Sequence, residues 1–298
     1  MIAIREFGGW NKNLYMTNGV IELYATLEVG PRIISFSFVG GDNILKEFDN
    51  ELGKDGEDEF KSRGGHRLWT SPEVKPRTYF PDNTEVMWKE LSEYSVLLMP
   101  PAEEINGVQK SIEITMSADS DAVTVTHYVT NIGMWEIELA PWAITVMRVG
   151  GVSIIPLPDK RSHTEVLVPE YPLVVWPYTN LSDKRYHFSD RYITFAQDPY
   201  MPPSKIGLGL SQGFAAYQYK DNVFVKYFDY DVSEVYPDMG CNFETFSNEE
   251  MLEVESLGPL TVLSPGESVT HAETWRMLKV EKELLSDEDI DKNLLPLI

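Results

Sequence analysis

Apolar and polar residues alternate with a period of two along most of this chain. The pattern is clearest in Val20-Ile21-Glu22-Leu23-Tyr24-Ala25-Thr26-Leu27-Glu28-Val29, in Arg32-Ile33-Ile34-Ser35-Phe36-Ser37-Phe38 and in Ala122-Val123-Thr124-Val125-Thr126-His127-Tyr128-Val129. Successive side chains of a strand point to opposite faces, so this alternation predicts strands with one face on a core. Further β-type runs surround Val86, Val96, Ile112, Ile137, Ile144, Val174, Ile193, Ile206, Phe224, Phe243, Leu252, Val262 and Thr274, parted by Gly, Pro, Asn and Asp turns. Strand follows strand with almost no helical period between them, which predicts an all-β, antiparallel architecture. The one expected helix is short and C-terminal, from Val280 to about Asn293, with Ser286 as an N-cap before Asp287-Glu288-Asp289.

More than a dozen strands in one open sheet would curl or split, so two large stacked sheets are expected. No repeat of about 20 to 50 residues is visible, which argues against a propeller or solenoid. No Gly/Ser linker divides the chain, so residues 1–298 are expected to form a single β-sandwich domain. The acidic stretch Asp49-Asn50-Glu51-Leu52-Gly53-Lys54-Asp55-Gly56-Glu57-Asp58-Glu59 reads as a solvated loop or a lid. Its spacing does not match the EF-hand ligand order.

Composition narrows the classes. A formal net charge of −22 opposes binding to nucleic acid or to an anionic membrane, because both need a basic surface, and it is indifferent to neutral ligands such as sugars. No apolar run approaches the roughly 20 residues of a membrane span, and Met1-Ile2-Ala3-Ile4-Arg5-Glu6 has no signal-peptide apolar core. With a single cysteine, Cys241, no internal disulfide can form, and a cytoplasmic location is expected. Gly-x-Ser-x-Gly, P-loop and dinucleotide fingerprints are absent.

Two stretches carry candidate chemistry. Ser62-Arg63-Gly64-Gly65-His66-Arg67-Leu68-Trp69-Thr70-Ser71-Pro72-Glu73 reads as a polar loop suited to a sugar: guanidinium groups pair with oxygens, an indole covers the C–H face of a pyranose, and glycines let the backbone approach a ligand. In Leu252-Glu253-Val254-Glu255, a strand would put both glutamates on one face, where like charge raises a pKa toward that of a general base. His127 is in phase with Val123, Val125 and Val129 and is expected in the core, whereas His66 is a candidate donor to a bound hydroxyl. His163, His187 and His271 show no pairing of a metal site, so neither metal nor cofactor is expected.

Together these stretches resemble the galactose mutarotase-like superfamily, which includes aldose 1-epimerases and hexose-6-phosphate mutarotases. Arg63-Gly64-Gly65 followed by Trp69 and Pro72 resembles the Arg-Gly-Gly then Trp-Pro element of the hexose-6-phosphate mutarotases, with one residue fewer before the Trp. Leu252-Glu253-Val254-Glu255 with Leu263-Ser264-Pro265-Gly266-Glu267 resembles the late strand bearing the catalytic glutamate and the turn after it. Uncharacterised members share a Gly-Gly-His-x-Leu-Trp-x-x-Pro element and an Asn, then Ala-Pro-Trp element, here Asn131 and Ala140-Pro141-Trp142. The resemblance implies a β-supersandwich and an enzyme that interconverts sugar anomers without a cofactor. Glu253 would be the base, with Glu255 second; Arg63 and Arg67 would donate to hydroxyls or a phosphate, and Trp69 and Trp142 would be pyranose platforms. Where mutarotases carry their acid histidine this chain has Trp142, which leaves His66 as the substitute acid. The alternatives are a non-catalytic carbohydrate-binding or sensing protein, or a glycoside-cleaving enzyme pairing Glu253 or Glu255 with Glu73 or Glu244. The expected partner is a mono- or oligosaccharide, with or without a phosphate, and Glu244 is a further expected substrate contact.

Overall fold

The computed structural model describes residues 1–298 and consists mainly of two antiparallel sheets laid face to face. In spatial order the eleven-stranded sheet runs Ile2–Phe7, Trp10–Thr17, Ile21–Thr26, Ile33–Phe38, His66–Ser71, Ile137–Met147, Leu252–Leu257, Phe243–Ser247, Ser204–Leu208 and Leu173–Val175, with Thr261–Leu263 pairing on the Ile137–Met147 strand. The ten-stranded sheet runs Tyr186–Phe188, Tyr192–Ala196, Val152–Pro156, Phe214–Tyr219, Asn222–Phe228, Ser268–Lys279, Ala122–Asn131, Val108–Met116, Ser95–Met99 and Met87–Ser92. Forty buried side chains, most of them from the two sheets, form the core between them. Phe36 of one sheet meets Phe224 and Trp275 of the other at ring separations of 6.2 and 5.7 Å.

Two expectations need correction. The C-terminal helix begins at Asp287, not near Val280, and ends at Asn293. Residues before it run in extended form because Val280 N–H donates to the Asp221 carbonyl and Leu284 N–H to the Gln218 side chain. Ser286 caps the helix as expected, accepting from Asp289 N–H at 3.2 Å. The stretch read as a loop from Ser62 to Glu73 contains a fully buried strand, His66–Ser71. The two glycines before it serve packing rather than ligand approach. A Cβ on Gly64 would lie 2.0 Å from the Lys46 carbonyl oxygen, and one on Gly65 would lie 2.3 Å from that of Ile33.

Within the apolar core lies a polar seam joining the sheets. His127 Nδ1–H donates to the His271 carbonyl at 2.8 Å, so neutral His127 presents a bare Nε2 to His66 Nε2 at 2.7 Å. His66 Nδ1 then accepts from the Thr145 hydroxyl at 2.8 Å. Nearby, Lys226 Nζ pairs with Glu273 at 2.7 Å and Trp275 Nε1 donates to the same carboxylate at 2.8 Å. Ser256 reaches both His271, at 2.6 Å, and Glu273. Buried polar groups stay buried only when satisfied, and here each partner is supplied by protein.

Burial pushes all three imidazoles down: His66 well below its ordinary value near 6.5, His127 below it, and His271 to about 3. The folded chain keeps them neutral and the unfolded chain does not. The histidines' contribution to stability is therefore full well above about pH 6.5 and is lost as pH drops below it, by up to about 1.4 kcal/mol per pH unit for each histidine, while the raised carboxyls of Glu244 and Glu253 offset part of that loss. We expect a lower urea midpoint at about pH 5 than at about pH 7.5, measured at about 0.5 M salt to screen the surface charge. Equal midpoints would show that the seam is protonated in the folded protein.

Candidate functional site

Alternation in the His66–Ser71 strand decides which of its residues reach solvent. His66 and Leu68 face the core between the sheets, while Arg67 and Trp69 face outward. Register carries that outward face across neighbouring strands, since residues directly opposite one another share a face. Trp69 pairs with Trp142 and Trp142 with Leu257; Arg67 pairs with Ile144, Ile144 with Glu255 and Glu255 with Glu244. One step along, Glu253 pairs with Phe246 and Phe246 with Lys205. The result is an outward cleft of about 580 Å³ whose floor holds Arg67, Trp69, Trp142, Ile144, Glu253, Phe246 and Lys205. Its walls are loop residues, chiefly Phe60, Ser62, Glu73, Tyr79, Tyr178, Pro202 and Pro203.

At one end of the cleft Arg67 Nη2 donates to Glu253 Oε1 at 3.1 Å. The guanidinium lies 4.5 Å from the Trp69 ring centre, and its Nε and Nη1 have no protein partner. Burial pushes the Glu253 carboxyl above its ordinary value; Arg67 opposes that shift and Glu255 adds to it. Trp69 is packed edge-on by Tyr79, Phe60 and Trp142 at 4.9, 5.1 and 5.4 Å, and it and Trp142 are only 7% and 3% exposed. Both indoles are thus a rigid floor with little free face. Tyr79 donates its hydroxyl to Glu73, and burial, then that carboxylate, push its pKa up.

Beside this pair lies a second charged group. Lys205 Nζ bridges Glu244 Oε2 at 2.6 Å and Glu255 Oε2 at 3.0 Å, and Trp142 Nε1 donates to Glu255 Oε2 at 2.8 Å. Burial works against the lysine's charge, but the two carboxylates outweigh it and hold its pKa above the ordinary value. Burial drives the Glu244 carboxyl well up, against the pull of Lys205. Glu244 and Glu255 are both fully buried and neither lines the cleft, so the expectations of a substrate contact at Glu244 and of a second base at Glu255 give way to a supporting ion cluster.

Arg63 and His66 are also placed elsewhere. Arg63 is fully buried outside the cleft, where it donates to the Glu51 and Lys54 carbonyls at 3.0 and 2.8 Å, to Glu57 at 2.5 Å and to Asn83 at 2.7 Å. It folds the acidic loop around itself, and that loop leads directly into Phe60 and Ser62 of the cleft wall. His66 belongs to the seam between the sheets, on the opposite face of its strand from Arg67. Of the expected site, the structure brings together Arg67, Trp69, Trp142 and Glu253. Phe60, Tyr79, Tyr178, Phe246 and Lys205 went unnoticed in the sequence. Lys205 did leave a signal, as the one charge in the run Ser204-Lys205-Ile206-Gly207-Leu208.

The cluster with metal-ligand character is His66, His127 and Glu273, whose donor atoms lie within 4.8 Å of one another. It does not fit an ion well. The two imidazole nitrogens are already at hydrogen-bond distance, and Glu273 is neutralised by Lys226.

No family model matches this sequence and no curated protein matches it. Solved structures do. A galactose mutarotase-like protein from Lactobacillus casei ATCC 334 is similar at a TM-score of 0.60 with 12% identity, over 89% of this chain and 99% of its own. A candidate aldose 1-epimerase from Escherichia coli K12 is similar at 0.56 with 14% identity, over 89% and 98%. A galactose mutarotase related enzyme from Lactobacillus acidophilus gives 0.54 with 9% identity, over 91% and 99%. The chain therefore has the galactose mutarotase-like fold, and at these identities the likeness concerns architecture alone.

Arg63→Ala should destabilise the fold by about 3 kcal/mol, because it strands the Glu57 carboxylate and three further acceptors, the Glu51 and Lys54 carbonyls and Asn83 Oδ1, in a partly buried setting. Thermal melting together with limited proteolysis checks this, with new cleavage expected between residues 49 and 59. Unchanged melting would remove Arg63 from the role of loop anchor.

Proposed function

We propose that the cleft binds a neutral sugar and that Glu253 acts on it as a general base in anomer interconversion. The observation that carries this reading is the Arg67–Glu253 pair on the cleft floor. A buried carboxylate with a raised pKa, oriented by a guanidinium and walled by aromatic rings, suits a hydroxyl proton near neutral pH. Glu253 takes the proton of the anomeric hydroxyl while Tyr79 gives its hydroxyl proton to the ring oxygen. The bond from C1 to the ring oxygen breaks, C1 becomes a carbonyl carbon and turns, and closure on its other face returns both protons. Arg67 keeps Nε and Nη1 free to donate, but both cations in the lining already face carboxylates, Arg67 one and Lys205 two, so a phosphate meets no uncompensated positive charge. A phosphorylated sugar is therefore the poorer ligand.

Binding without turnover is the second reading, and one observation favours it. No histidine lines the cleft, and Tyr79, whose proton is committed to Glu73, is a weak acid.

Magnetisation-transfer NMR on equilibrating hexose anomers separates the two. Glu253→Gln should lower kcat/KM by about 10²–10⁴-fold, the usual worth of a general base. Activity should also fall as pH drops through a value above 4.5, where the raised carboxyl takes up its proton. Calorimetric binding of hexoses without any acceleration of exchange would establish the second reading instead, and tighter binding of hexose phosphates would defeat the neutral-sugar assignment.

A further inference from the structure

The cleft is longer than its reacting end. Its floor crosses five adjacent strands, from His66–Ser71 to Ser204–Leu208, which is four inter-strand spacings of about 4.8 Å, or on the order of 19 Å. A pyranose ring is about as wide as one such spacing. The Arg67–Glu253 pair spans the first to the third of these strands, so a ring seated there leaves uncovered the floor of the two strands beyond it, which carry Phe246 and Lys205.

What lies beyond that seat is chemically different from it. There the floor continues with Phe246, and the wall is Tyr178, Pro202, Pro203 and Met251, all apolar or aromatic surfaces, with Tyr178 half exposed at 50%. The one charge there, Lys205, is already shared by Glu244 and Glu255 and sits 4.6 and 4.9 Å from the ring centres of Trp142 and Trp176. Such a wall has little to offer hydroxyl groups at close range and much to offer the C–H face of a second ring. Charge and hydrogen-bonding capacity are concentrated in one seat, and flat apolar surface makes up the rest.

We propose that the ligand is an oligosaccharide of at least two rings, with its reducing-end ring at Arg67 and Glu253 and the next ring against Tyr178. This rests on the sugar-binding reading above. The free aldehyde chemistry requires the reducing end at Glu253, so the chain extends from that ring toward Pro202 and Pro203.

Titration followed by tryptophan fluorescence tests the proposal, since Trp69 and Trp142 lie in the cleft floor. The probes are glucose, galactose and mannose, their α- and β-linked di- and trisaccharides, and octyl glucoside. One disaccharide should bind at least about tenfold tighter than its own reducing-end monosaccharide. Tyr178→Ala should abolish that gain while costing the monosaccharide affinity much less; the side chain is half-exposed and its removal leaves no core cavity. Equal affinity for monosaccharides and disaccharides, or an equal loss for both in Tyr178→Ala, would overturn the proposal while leaving a monosaccharide site standing. Octyl glucoside binding tighter than every disaccharide would overturn it in favour of an aliphatic aglycone. No binding by any sugar would remove the sugar-binding reading itself.

Discussion

The architecture depends on strict two-residue alternation in three neighbouring strands that are buried on both faces: His66–Ser71, Ile137–Met147 and Leu252–Leu257. One set of side chains, His66, Thr145 and Ser256 among them, reaches into the polar seam that ties the sheets together. The other set, Arg67, Trp142, Ile144 and Glu253, makes the cleft floor. Because the period is two, a one-residue slip in any of these strands would exchange the two sets, putting Arg67 and Glu253 in the core and histidine in the cleft. The seam therefore fixes register as well as holding the sheets: His66 can meet His127 only when Arg67 meets the cleft.

The same alternation explains what was legible from the sequence and what was not. Glu253 and Glu255 share a face as their spacing requires, and Leu252 and Val254 pack in the core. The strand-after-strand pattern also led directly to stacked sheets. His66 was misjudged for a physical reason: two glycines and several polar residues disguised the start of a strand, and without knowing that a strand begins at His66 no parity can be assigned to it. Arg63 was misjudged because an arginine beside glycines looks the same whether its donors meet a ligand or, as here, the carbonyls and carboxylates of its own acidic loop. Tyr79 and Tyr178 come from loops, which have no period to read.

Charge is distributed in a way that bulk composition conceals. The chain carries −22 overall, yet Arg63, Arg67, Lys205 and Lys226 are all buried. Each faces at least one carboxylate: Glu57, Glu253, the Glu244–Glu255 pair and Glu273 respectively. Breaking any of these would leave an uncompensated buried charge, which is much more costly than never burying the pair. Acidic surface charge and paired interior charge thus coexist without conflict, and in the cleft one such buried pair, Arg67 and Glu253, lines an open floor.

Lys205 shows how the interior pairs bear on the cleft. Glu253 and Glu255 occupy the same face of one strand, two residues apart, and two uncompensated carboxylates there would raise each other's pKa strongly. By holding Glu255 with Trp142 Nε1, and by adding its own positive charge, Lys205 offsets part of that repulsion, while Arg67 restrains Glu253 directly. What is left is a single carboxyl, raised mainly by burial and still balanced by a guanidinium. That balance is what the proposed role of Glu253 as a base would need, since such a group must both take up a proton and return it.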